Sequence, residues 1–61
     1  MTDEEIKYNV IKELNGVKSM SKEQVDDFID LMFFILPIED NRENRRTIVD
    51  GIRMYFKLYR H

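Results

Sequence analysis

Two short motifs constrain this chain more than anything else in it. Thr2 is followed three residues later by Glu5, and Ser21 by Gln24. In a capping box the hydroxyl side chain accepts from the backbone N–H three residues on, and the Glu or Gln side chain accepts from the cap's own N–H. Each box also sits inside a hydrophobic staple, Met1 with Ile6 and Met20 with Val25. A chain that announces helix starts in this way, and punctuates them with only two glycines and one proline, is directed towards an all-helical fold.

The apolar residues agree. Ile6, Val10, Leu14 and Val17 recur at helical spacing after the first box, and Gly16 supplies a left-handed stop, which predicts a helix over about 3–15. Val25, Phe28, Ile29, Met32 and Leu36 do the same after the second. Pro37 closes that helix at about 22–36, because proline disfavours helical geometry in the residue before it. The seam Ile48, Ile52, Tyr55 and Tyr59, widened by Val49 and Phe56, predicts a third helix over about 42–59, with Asp40 as its cap and Glu43 three residues on. A strand over 31–38 is the rival for the second helix, but its pattern starts well upstream and no partner strand is visible. The fold class is therefore all-α: one domain, residues 1–61, arranged as a small up-down-up three-helix bundle.

Size then raises a problem. With 61 residues the chain buries only about 60% of the surface it exposes when unfolded, so its core alone stabilises it modestly. Small domains usually add a disulfide, a metal or a partner chain. There is no cysteine, and the one histidine, His61, is the final residue. By elimination the bundle is expected to be completed by dimerisation or by a protein partner.

Two seams of apolar residues lie outside the expected core. The end of the second helix, Leu31 to Leu36, is apolar on every side, and Phe34 continues the acidic line Glu23, Asp27, Asp30. A helix that is apolar all round has to be covered all round, by the loop that follows it or by a second molecule. On the third helix Thr47, Gly51, Met54 and Leu58 form a second seam beside the first. A mid-helix glycine costs about 1 kcal/mol relative to alanine, and it permits close approach of another helix; the plainer role is to make room for a core neighbour such as Phe33. These features name Leu31, Phe34, Gly51, Met54 and Leu58 as the expected partner or dimer interface. Tyr8 stands alone, opposite the apolar face of the first helix.

Charge supplies the second functional reading. Residues 1–41 hold ten acids against four lysines, whereas residues 42–61 hold six basic residues against two acids, including all five arginines. Such asymmetry marks either a binding face or complementarity between helices. Arg42, Asn44, Arg45, Arg46 and Arg53 could contact nucleic acid, arginine reading guanine and asparagine adenine in a major groove, in the manner of a dimeric DNA-binding regulator. Against this stand an intervening loop longer than the helix-turn-helix turn, an acidic second helix and a net charge of −2.

Catalysis has little to work with. There is no cysteine nucleophile, no internal histidine base and no glycine-rich phosphate loop. Ser19 and Ser21 flank a helix start, and Asp26, Asp27 and Asp30 lack the apolar pocket that raises a general acid's pKa. The stretch Glu39 to Asp50 lacks the alternating acids and central glycine of a calcium loop. No cofactor, metal or small-molecule substrate is therefore expected. The longest apolar run, Leu31 to Ile38, is far short of the ~20 residues that span a bilayer. The acidic opening is unlike a secretory signal, so a cytoplasmic protein away from membranes is the expectation.

Overall fold

The computed structural model describes residues 1–59; Arg60, the last of the five arginines counted above, and His61, the lone histidine, lie outside them. The three helices are α1 (Asp3–Glu13), α2 (Lys22–Ile35) and α3 (Arg42–Leu58), and no strand occurs among the described residues.

Both capping boxes form in full. The Thr2 hydroxyl accepts from the Glu5 N–H at 3.2 Å while the Glu5 carboxylate accepts from the Thr2 N–H at 3.0 Å. Ser21 and Gln24 repeat the exchange at 3.2 and 2.8 Å. Two of the N–H groups orphaned at each of these two starts are thereby satisfied locally, without help from the core. α1 stops earlier than its apolar pattern suggests: Leu14 is the cap, the Val17 N–H donates to the Leu14 carbonyl at 2.9 Å, and Gly16 takes a φ of 88°. α2 likewise ends one residue early, because Leu36, held by the following proline, is extended. The Ile38 N–H then closes a tight turn onto the Leu36 carbonyl at 2.8 Å.

The cap of α3 is Asn41, one residue beyond the expected Asp40. The Asn41 side chain accepts from the Asn44 N–H at 2.8 Å. Asp40 instead receives Arg45, Nε to Oδ1 at 2.8 Å and Nη2 to Oδ2 at 3.3 Å. Either side chain is chemically fit to cap; the turn after Pro37 decides which one sits at the helix mouth.

The core draws evenly on the three helices: Ile6, Val10 and Leu14; Phe28, Ile29 and Met32; Ile48, Ile52 and Tyr55. Val17, Val25, Leu36, Val49 and Phe56 pack around it half-buried. Tyr59, expected in the α3 seam, is exposed at the helix end. Direction follows from the contacts. Gly51 lies against Val10 and Lys7, and the Tyr55 hydroxyl donates to the Val17 carbonyl at 3.2 Å, so α1 and α3 run parallel. Phe33 lies under Arg45, while Val25 shares a groove with Ile52 and Phe56, so α2 runs antiparallel to α3. The bundle is up-down-up, with α1 the more closely packed neighbour of α3.

Candidate functional site

The apolar end of α2 stands out of the bundle. Phe34 is 86% exposed, with Leu31 at 46% and Ile35 at 44% beside it. The loop from Leu36 to Asn41 leaves them uncovered. It turns towards α3, where Asp40 and Glu39 are held by Arg45 and by the Asn44 side-chain amide, the latter at 2.7 Å to the Glu39 carbonyl. Met32 is buried and Phe33 half-buried, so this apolar run divides: one side packs the core and the other faces solvent. Ile35, which sequence reasoning did not single out, joins Leu31 as its i+4 neighbour.

The second seam of α3 divides too. Thr47 and Gly51 are buried, and Gly51 serves α1. A Cβ placed on it would lie 3.0 Å from the Val10 Cγ1 and 3.4 Å from the Lys7 Cα. The glycine is thus the seat of an intramolecular helix contact, and neither Phe33 nor a second molecule occupies that side. Its inclusion in an outward interface is corrected accordingly. The hydroxyl of Thr47, one turn earlier, donates to the Glu43 carbonyl at 3.1 Å. Met54 and Leu58 remain exposed further along. They do not adjoin the α2 patch. Phe33 meets Arg45 at the start of α3, whereas Met54 and Leu58 lie nine and thirteen residues beyond Arg45. At 1.5 Å of rise per residue that is roughly 14–20 Å along the bundle. The expected interface residues therefore form two separate patches.

The basic residues sort into engaged and free. Arg45 is engaged: it pairs with Asp40, and its guanidinium lies 5.6 Å from the centre of the Phe33 ring. The hydrogen bond from Arg45 holds the Asp40 carboxyl below its ordinary pKa, and Arg45 itself is raised, first by that bond and more weakly by Asp30 and Asp26 on α2. Asn44 is engaged as well, through its side chain to Glu39. Two of the five residues named for nucleic acid are thus occupied within the chain. Asp40–Arg45 is the one ion pair among the described residues. Arg42, Arg46, Arg53 and Lys57 are exposed and fall on one stripe of α3 at helical spacing.

A groove of about 660 Å³ opens beside the far end of that stripe, between the α1–α2 loop and α3. Met20, Val25, Ile52 and Phe56 make its apolar floor, and Lys18, Arg53 and Lys57 its cationic rim. Sequence reasoning missed it, since its floor residues belong to two stripes that each looked like core. Among the described residues, no group of three or more His, Cys, Asp or Glu side chains could hold a metal, and no helix is long and apolar enough to cross a membrane.

Comparison with protein-family models, curated proteins and solved structures finds no match to this chain.

Proposed function

We propose that this is a small non-enzymatic interaction protein whose working surface is the apolar end of α2, and that it self-associates through that surface. The observation that carries the reading is Phe34, 86% exposed between Leu31 and Ile35 on a well-capped helix. Single exposed apolar side chains are ordinary; a cluster containing an uncovered phenylalanine is what partner surfaces present. Burying Phe34 alone would contribute about 1.5–3 kcal/mol, a large share of the stability expected at this size. The role assigned is regulatory: occupying a surface, with no chemistry of its own.

Light scattering across a concentration series tests this. The expected result is a mass approaching twice that of one chain and a melting temperature that rises with protein concentration. Phe34→Asp should give a monomer whose melting does not depend on concentration. A wild type still monomeric at about 1 mM, where even weak association registers, would remove the reading.

A second reading retains the basic stripe as a nucleic-acid contact. It is favoured by Arg42, Arg46, Arg53 and Lys57 lying exposed on one face of α3. It is weakened by the engagement of Asn44 and Arg45. Its signature is DNA binding that falls steeply with salt, as displaced counterions require, and that is lost in Arg46→Ala. Failure to shift DNA at low salt removes it.

A further inference from the structure

Resting on that self-association, we propose that the receiving site for the outward face of α2 is the basic stripe and adjoining groove of a second copy, the two copies related by a two-fold axis across the bundle. Two surfaces on the chain are complementary in charge and in spacing. Glu23, Asp27, Asp30 and Phe34 run down the exposed face of α2 at i, i+4, i+7 and i+11. On α3, Arg42, Arg46, Val49 and Arg53 run at the same intervals, with Arg53 on the rim of the groove. Laid parallel, Glu23 falls opposite Arg42, Asp27 opposite Arg46, Asp30 opposite Val49 between two arginines, and Phe34 opposite Arg53 at the groove mouth. Phe34 there meets a floor of Val25, Ile52 and Phe56.

The topology permits this register twice over. Within one chain α2 is antiparallel to α3, so laying it parallel to the α3 of another copy turns that copy end for end. A two-fold axis perpendicular to the bundle does this, and the same axis places the second Phe34 on the first groove, as a closed isologous dimer requires. Most of each surface is open to solvent: Glu23, Asp27, Phe34, Arg42, Arg46 and Arg53 are all exposed, and of the two rows Val49 alone is half-buried against the core. Charge supplies the choice of partner row, because acidic faces acidic or basic faces basic in any other pairing of these surfaces, while the fit of Phe34 into the groove supplies the attraction and the register.

Sedimentation of three charge variants of the full chain tests the pairing. Glu23→Lys with Asp27→Lys opposes two positive rows, and Arg42→Glu with Arg46→Glu opposes two negative ones. Each double variant should dimerise at least about a hundredfold more weakly than wild type. Combining all four substitutions leaves the net charge at −2 and restores opposite rows, so dimerisation should return to within about tenfold of wild type. Far-UV circular dichroism of each variant guards against misfolding, and all four positions are on the surface. Double variants that dimerise like wild type, or a quadruple variant that stays monomeric, overturn this docking mode. In either case loss of the dimer on Phe34→Asp would leave self-association through α2 standing. A monomeric wild type overturns both.

Discussion

At the scale of single residues, Gly51 and Glu5 carry more than their size suggests. Gly51 weakens α3 as a helix, yet the Cβ of any other residue there would press on Val10, which is fully buried, and on the backbone of α1 at Lys7. Alanine would raise helix propensity by about 1 kcal/mol, but crowding a closed contact costs about 1–3 kcal/mol. Gly51→Ala is therefore expected to destabilise by about 1 kcal/mol net in denaturant unfolding. Adding Val10→Ala should be less harmful in that background than in wild type, a coupling that a double-mutant cycle reads directly. Glu5 closes the first capping box, and hydrogen bonding from the Thr2 backbone, then from its hydroxyl, lowers its pKa. A lowered folded-state pKa means that the contribution is present above the ordinary carboxylate pKa and is lost as pH falls through the folded value. Asp40, lowered by Arg45, acts in the same direction. Melting temperature should thus fall on acidification below about pH 4. Glu5→Gln, which can still accept from Thr2, should flatten part of that slope.

At the scale of elements, each helix has a capping side chain at its N-terminus, Thr2, Ser21 and Asn41, that accepts from the backbone N–H three residues on. Ser21→Ala is expected to lower stability by about 1 kcal/mol, and Asn41→Ala by a similar amount. Asp40→Ala should change little by comparison, since its partner Arg45 is an exposed cation free to return to water. Thermal melts of these three variants separate the true cap of α3 from its neighbour. The first two starts were legible because the whole capping box is local, complete within four residues. The third was displaced by one because Asp40 and Asn41 are both competent caps. The choice belongs to the turn after Pro37 and to Arg45, which recruits Asp40 from the next turn of helix.

At the scale of the whole molecule, the bundle is closed by contacts distant in sequence. The Tyr55 hydroxyl reaches the Val17 carbonyl in the α1–α2 loop, fastening the far end of α3 to the turn that follows α1. Tyr55→Phe keeps the ring in the core and removes only this bond, so about 0.5–1.5 kcal/mol should be lost. Hydrogen exchange of the α1–α2 loop should quicken more than that of the helix centres. The exposed end of α2 and the groove beside Ile52 and Phe56 also exist only at this scale, since each needs two or three helices in place to be either open or covered.

What the sequence determined by itself is whatever depends on neighbours within about one helical turn. It decided that the chain is helical, where α1 and α2 begin, that Gly16 and Pro37 close them to within one or two residues, and which face of each carries the apolar stripe. The candidate α2 patch was partly legible for the same reason, because an all-apolar turn at the end of an amphipathic helix has surplus surface whatever it packs against. Only the tertiary structure decided how that surplus is divided. It buried Met32 while leaving Phe34 in water, and gave Gly51 to α1. It also set Met54 and Leu58 apart from Leu31, and tied Asn44 and Arg45 into the loop while Arg42, Arg46 and Arg53 stayed free. The physical reason is that periodicity specifies a direction around one helix axis, whereas the occupant of that direction depends on how three axes are placed together. That placement is fixed by side chains meeting across the bundle, Val10 against Gly51 and Val25 beside Phe56, and no single stripe contains both partners.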